Sequence, residues 1–487
     1  MTLTSESNPA APAPEGAASA ALEPESADPA ASADSAPASQ APVAPVAPIP
    51  PAPDDLPTSD LDLLRRFRRD LHRIPELDFD LPRTVAYVEG VLSSLSCEVT
   101  RPCPSCVCAF FDRRGSDAPA GDPAQGPATA IRADMDALPI TEATGAPFAS
   151  TCLGHMHACG HDTHMAMALT AAVWVDRQLR EHPGILPRNV LFVFQPAEET
   201  TGGAKTVCDS GVFERYRVDR IFGFHVWPDL PAGTVASRPG PLLARSSETH
   251  ITIHGASTHI AKTYGVDDAH SRDAMLAAAR FVVRERELMA RLGEDEPCIC
   301  KFGQLEAGTV CNAVAGEARI AGSLRVFSEE MFARAKAEIT GLLETCCAET
   351  GCTGEVHFAE GYPPVRNDER LYGLAAAALD GEDGAPALAR APEPLLIAED
   401  FAFYQQHLPG VFFLLGVGEP ATGESALFPS GRAMPADVRR CATSALGSDE
   451  RDVQPYATSA LHTATLMFRE ELLLPGVTTY RRLLQTA

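Results

Sequence analysis

Residues 157–162 read HACGHD, and further along residues 195–199 read QPAEE. Cys159 and His161 set a soft sulfur donor and an imidazole two residues apart. Glu198 and Glu199 set two carboxylates side by side after an apolar run. Metal ligands and a base are what metal-assisted hydrolysis needs. Neighbouring side chains of an extended segment point in different directions. One glutamate can therefore bind metal while the other faces an attacking water, which a general base must first be able to reach. Each motif alone also has a structural reading: a buried thiol with a helix-capping His-Asp pair, or two surface glutamates. Four histidines within ten residues (His155, His157, His161, His164) weigh toward metal. His225 closes the apolar run 221–225, and His462 reads as opening a late helix in LHTAT. As a set, Cys159, His161, Glu199, His225 and His462 offer two divalent ions mixed S, N and O donors.

These residues need a scaffold. Residues 60–73 show helical periodicity, with Leu61, Leu64, Phe67 and Leu71 opposite a row of arginines. Residues 128–133 and 190–194 read as buried strands, and 161–180 as a helix between them. This β-α-β alternation predicts an α/β sheet with the candidate ligands at strand ends and in connecting loops. From about residue 246 the texture changes. Strand-like runs at 249–254, 298–305, 317–326 and 355–359 and helices at 271–291 and 328–344 predict an α+β unit of four strands and two helices. The expected organisation is a first α/β part (57–245), the inserted unit (246–360) and a second α/β part (361–487).

Composition bounds the rest. The chain has 487 residues, of which 45% are apolar, and a net charge of −25. That charge makes nucleic acid and anionic membranes poor partners, and no run approaches the roughly 18 apolar residues of a membrane helix. Residues 1–56 are rich in Ala, Pro, Ser and acids. Such a segment is too polar to offset its ordering entropy and lacks the basic and apolar regions of a secretory signal. It is expected to be a disordered tail on a cytoplasmic protein. The 14 cysteines form no regular framework and are expected to be mostly reduced and buried. Cys103, Cys106 and Cys108 invite a zinc reading, but without a second pair at finger spacing CVCAFF reads as a buried strand.

At this point the chain resembles the aminoacylase/hippurate hydrolase family of dinuclear metallopeptidases, the branch containing plant auxin–amino acid amidohydrolases. The resemblance is carried by RADMDALP (132–139), MHACGHDTH (156–164), FQPAEE (194–199), FHVWP (224–228), AGTVCN (307–312), GSLR (322–325), AEDF (398–401), PGVFFLLG (409–416) and LHT (461–463), in the family's order. It implies a catalytic domain with a mixed sheet flanked by helices, and an inserted lid that often mediates dimerisation. Cys159, His161, Glu199, His225 and His462 match the ligands of two divalent ions, zinc or manganese. Glu198 matches the catalytic base, and Asp134 and Asp136 match residues that orient ligands. His259 matches a histidine that steadies the oxyanion, in some members across the dimer. Asn312 and Arg325 match lid residues that hold the substrate carboxylate, a task suited to a guanidinium fork. The implied activity is hydrolysis of N-acyl-L-amino acids to a carboxylic acid and an amino acid, with a small-molecule substrate and a homodimer. A dipeptidase of the same fold and a non-catalytic ligand-binding relative are the alternatives. The chain departs from the family pattern at residues 257–262 (STHIAK), where a GGHA-type turn is usual, in about 40 extra residues at 419–460, and in its tail.

Overall fold

A computed structural model of the chain describes residues 56–115, 126–200, 202–418 and 459–487. The expected tail up to residue 55 and nearly all of the insertion at 419–460 lie outside them.

The larger sheet has eight strands. From edge to edge they are Glu98–Thr100, Val107–Phe111, Asn189–Gln195, Ala128–Asp134, Val218–Pro231, Gly410–Gly418, Val235–Ser237 and Leu388–Arg390. Asn189–Gln195, Ala128–Asp134, Val218–Pro231 and Gly410–Gly418 run parallel to one another, and antiparallel pairs flank them. The mixed α/β architecture matches expectation. Strands Val107–Phe111, Ala128–Asp134 and Asn189–Gln195 are buried along their whole length, as a sheet covered on both faces requires. One face carries helices Asp60–His72, Pro82–Leu92, His161–Glu181 and Leu474–Leu484 around a core that includes Phe67, Leu71, Phe192, Phe224, Phe413 and Tyr480. Ser59 caps the first of these, its side chain accepting from Asp62 N–H. His161–Glu181 is 21 residues long and buries its first residues completely.

Two expectations about ligand position need correction. The strand carrying His225 does not end there but continues to Pro231. Its pairing with Gly410–Gly418 sustains it, Leu414 lying opposite His225. Pairing with Ala128–Asp134 stops earlier, at Arg132 and Gly223, so His225 is free on that side only. Nor does His462 open a helix. It has φ 62° and donates its backbone N–H to Ala158 O at 2.8 Å. The helical segments follow at Glu470–Leu473 and Leu474–Leu484. A residue in the left-handed region is not itself part of a right-handed helix.

A second sheet of four antiparallel strands has the order Thr353–Phe358, Arg245–His254, Glu317–Val326, Ile299–Ala307. Helices Ala274–Leu292 and Glu329–Ala348 pack on it around Phe281, Ile320, Phe332 and Ile339. Arg245–His254 alternates buried and less buried residues, as a strand with one covered face does.

This second core holds one ill-suited group. Glu285 is 2% exposed, and its Oε1 has no partner among the described residues. Burial pushes its carboxyl up to about 7 against the opposing charge of Lys301. A carboxyl with a raised folded-state pKa leaves stability intact below its unfolded value of about 4.3 and costs stability as pH rises through its folded value. We therefore expect Glu285→Met to unfold like the parent in urea near pH 4. By pH 8 it should be more stable by about 1–3 kcal/mol, after allowance for solvent screening. Urea midpoints that differ equally at both pH values would contradict this.

Candidate active site

The candidate residues gather beside the ends of the parallel strands, where open α/β sheets place their ligands. Asp134 and Gln195 are the last residues of adjacent strands. The chain then turns through Pro196 and Ala197, the latter left-handed at φ 57°, into Glu198 and Glu199. Asp136 clamps this turn: its Oδ1 accepts the backbone N–H of Glu198 and its Oδ2 that of Glu199, each at 3.0 Å. Across the site, Gly160 takes φ 89° immediately before His161. A Cβ there would lie 2.6 Å from Val226 Cγ2, so glycine is required for this close approach.

The five expected donors converge. Cys159 Sγ lies 3.2 Å from His225 Nε2 and 3.3 Å from His462 Nε2. Glu199 Oε1 lies 3.5 Å from His462 Nε2 and 3.8 Å from His161 Nε2. They fall into two sets sharing one sulfur: Cys159, His161 and His225, and Cys159, Glu199 and His462. Within each set all donor atoms lie within 4.8 Å of one another.

Hydrogen bonding fixes which imidazole nitrogens face the site. His161 Nδ1 is 2.8 Å from Asp136 O, and His225 Nδ1 is 2.7 Å from Val226 O. A carbonyl can only accept, so each Nδ1 carries the proton and each Nε2 presents a lone pair. His161 Nε2 and Glu199 Oε1 are buried and have no hydrogen-bond partner among the described residues. Such orphaned acceptors would be costly unless a cation satisfies them. The Cys159 thiol is pushed well above the usual thiol range by burial, then by the charges of Glu199 and Glu198. A divalent ion is what would hold it as thiolate. The donor set therefore fits two metal ions.

Glu198 is 7% exposed, and its backbone O accepts from the Tyr362 hydroxyl at 2.6 Å. Burial, then Glu399, Glu199 and Asp400, raise its carboxyl well above the usual carboxylate range. Glu198 and Glu199 line a cavity of about 460 Å³ with Cys159, His225, His462 and Arg325. Apolar walls come from Trp227, Leu396, Ile397 and Phe412, among others. Arg325 is half-buried, and its Nε donates to Ser323 Oγ at 3.1 Å.

His259 and Asn312 are placed elsewhere. Both are exposed on the second unit and neither lines this cavity. They are neighbours in two loops zipped together: Ile260 N–H donates to Asn312 O at 3.1 Å and Val314 N–H to Thr258 O at 2.9 Å. His259 Nδ1 accepts from Ala261 N–H at 3.1 Å, which leaves its Nε2 as the donor.

Of the residues beneath the ligands, sequence reasoning gave Asp134 an orienting role but none to Arg132, Glu399 or Asp400, and took His164 only as one of a cluster of histidines. Arg132 is wholly buried and donates from Nε to Gln195 (2.8 Å), from Nη1 to Asp134 (2.7 Å) and from Nη2 to Glu399 (2.8 Å) and Asp400 (2.7 Å). His164 is also buried. Val226 N–H donates to its Nε2 at 3.0 Å, so its Nδ1 carries the proton that Asp134 accepts at 2.6 Å. Burial would raise the Asp134 carboxyl, but Arg132, His161 and His164 hold it well below the usual range. Arg132 and Asp134 are two apart on one strand and so share a face, the signal that could have paired them. Glu399 and Asp400 are far away in sequence and carried no such signal.

The arrangement is that of a metal-dependent hydrolase. Residues 130–444 match the model of peptidase family M20/M25/M40, and the chain belongs to that family. It is 32% identical over 366 residues to the N-acetyldiaminopimelate deacetylase of Streptococcus uberis, covering 74% of this chain and 91% of that one. It is 32% identical over 365 residues to the N-acetyl-L-cysteine deacetylase of Bacillus subtilis, covering 75% and 82%. Among solved structures it is similar to the Bacillus subtilis YXEP protein, described as a dinuclear metal-binding peptidase of the M20 family. The TM-score is 0.66 at 28% identity, over 87% of this chain and 97% of that one. The protein is a metal-dependent amide hydrolase. No helix among the described residues is long and apolar enough to cross a membrane.

Proposed function

We propose that the protein hydrolyses the amide bond of N-acyl-L-amino acids, releasing a carboxylic acid and an amino acid. The observation that carries this reading is one cavity holding the five-donor cluster, Glu198 and the guanidinium of Arg325. The deacetylase relatives support it. Two ions, zinc or manganese, held by the sets that share Cys159, would supply Lewis acidity and acidify water. Glu198 takes the proton of the attacking water and returns it to the leaving nitrogen. Arg325 holds the substrate carboxylate. Asp136 keeps Glu198 and Glu199 facing the cavity, and Asp134 keeps His164 and Arg132 in place behind them.

His259 and Asn312 enter the same reading through a homodimer. The exposed pair would serve the partner subunit's cavity, with His259 Nε2–H steadying the oxyanion and Asn312 the substrate carboxylate. Residues 246–360 are then the lid and dimerisation domain.

The test is turnover of N-acetyl, N-benzoyl and N-indoleacetyl amino acids beside free dipeptides, with metal-loaded protein. Cleavage of acylated substrates is expected. A requirement for a free α-amino group would reassign the protein as a dipeptidase, and tight binding without turnover would make it a binding relative. On the best substrate, Arg325→Ala should raise KM about 10- to 100-fold with kcat little changed, as expected for loss of charged hydrogen bonds made alike in ground and transition states. An unchanged KM would remove Arg325 from substrate binding.

A further inference from the structure

The turn Cys103-Pro104-Ser105-Cys106 lies outside the hydrolytic cavity, and the proposed reaction makes no use of it. Its backbone is set locally. Proline at the second position fixes φ, Ser105 takes φ 54° at the third, and Cys106 N–H donates to Cys103 O at 3.2 Å. That is the pattern of a type II turn, in which the end Cα atoms lie within about 7 Å. Disulfides span that separation. A serine in the left-handed region needs surroundings that hold it there. Here Ser105 Oγ donates to Phe79 O at 2.5 Å, tying the turn to a distant segment.

The two thiols differ in setting. Cys103 is partly exposed, whereas Cys106 is wholly buried where strand Val107–Phe111 begins. Cys106 Sγ lies 3.9 Å from Cys108 Sγ. The neighbouring Cys106 holds the Cys103 thiol below the usual range against the effect of burial. The neighbouring Cys103 and Cys108, with burial, push Cys106 well above it. Zinc is not favoured: among the described residues, the groups of three or more donors within mutual reach of one ion do not include these three sulfurs.

We propose that Cys103 and Cys106 form a thiol–disulfide exchange site for low-molecular-weight disulfides of the glutathione type. Cys103 thiolate attacks one sulfur of the disulfide, a mixed disulfide forms and one thiolate leaves. Cys106 then attacks Cys103 Sγ, gives its proton to solvent and expels the second thiolate. The protein loses two electrons and two protons, and the disulfide is reduced to two thiols. Attack by the more ionised, accessible thiol and resolution by its buried neighbour is the order these positions favour. This site stands independently of the hydrolase reading.

The full-length protein would be equilibrated without oxygen in mixtures of reduced and oxidised glutathione, quenched with acid, alkylated and mapped by mass spectrometry. Exposed Cys311 serves as the accessibility reference. Cys103 and Cys106 are expected to lose alkylation together, in a fragment lighter by two hydrogens. Cys106→Ser should stop at a Cys103–glutathione adduct, and Cys103→Ser should leave Cys106 unmodified. The proposal fails if both thiols stay alkylatable while Cys311 is glutathionylated, if the parent stops at the mixed disulfide, or if the bridge joins Cys106 to Cys108. Should a serine variant not fold, mapping of the parent protein decides alone.

Discussion

Replacing Glu198 with glutamine is expected to lower kcat by about 10³-fold, within the range for loss of a positioned general base. KM should shift by no more than a few-fold. Glutamine keeps the size and one acceptor of the side chain, and the hydrogen bonds that set the loop are backbone ones: Glu198 N–H to Asp136 and Tyr362 hydroxyl to Glu198 O. The fold and the metal sets therefore stay in place. Loss confined to kcat marks a group acting only on the way to the transition state. Should kcat stay within tenfold of the parent while metal content is equal, Glu198 is not the base. Glu399, buried and close enough to share an ion with Glu198, would be the next carboxylate to test.

The largest loss of stability is expected at Arg132. Its guanidinium is wholly buried and joins Asp134, Glu399 and Asp400. Burial favours the neutral form of every member and raises Glu399 and Asp400 despite Arg132, whereas Arg132, His161 and His164 hold Asp134 well below the usual carboxylate range. Arg132→Met fills much of the volume but leaves the three carboxylates without their cation. Removing one partner of a buried ion pair costs about 3–5 kcal/mol, a large share of the 5–15 kcal/mol that a folded protein typically has. The variant should aggregate on expression or unfold at clearly lower urea, and low pH should narrow its gap to the parent as the carboxylates protonate. An unfolding free energy within about 1 kcal/mol of the parent at pH 7 would show that the network contributes specificity rather than stability.

Local pattern made the scaffold legible. Unbroken burial marks strands Ala128–Asp134 and Asn189–Gln195, and the helix His161–Glu181 starts where glycine and a polar turn place it. The strand Glu317–Val326 and the helix capped by Ser328 also lie where periodicity and capping put them. The failures are tertiary. His225 stands inside a strand because pairing with Gly410–Gly418 carries that strand past it. His462 sits in a turn because Ala158 O holds its N–H. The site itself was legible only as donor types in motifs. That Cys159 is shared between two donor sets depends on contacts 66 and 303 residues apart in sequence. The exposed placement of His259 and Asn312 depends on loop pairing, of which periodicity carries no trace.

The central claim is a hydrolase in which the donor sets sharing Cys159 would hold two ions and Glu198 would act as the base. The most direct test is to strip the protein of metal, confirm by circular dichroism that it stays folded, and add zinc or manganese stepwise while following cleavage of an N-acyl amino acid. The account predicts no turnover without metal and activity that rises until two equivalents are bound. Cys159→Ala should bind neither ion tightly and stay inactive. Full activity in the stripped protein, or undiminished binding of two ions by Cys159→Ala, would contradict it.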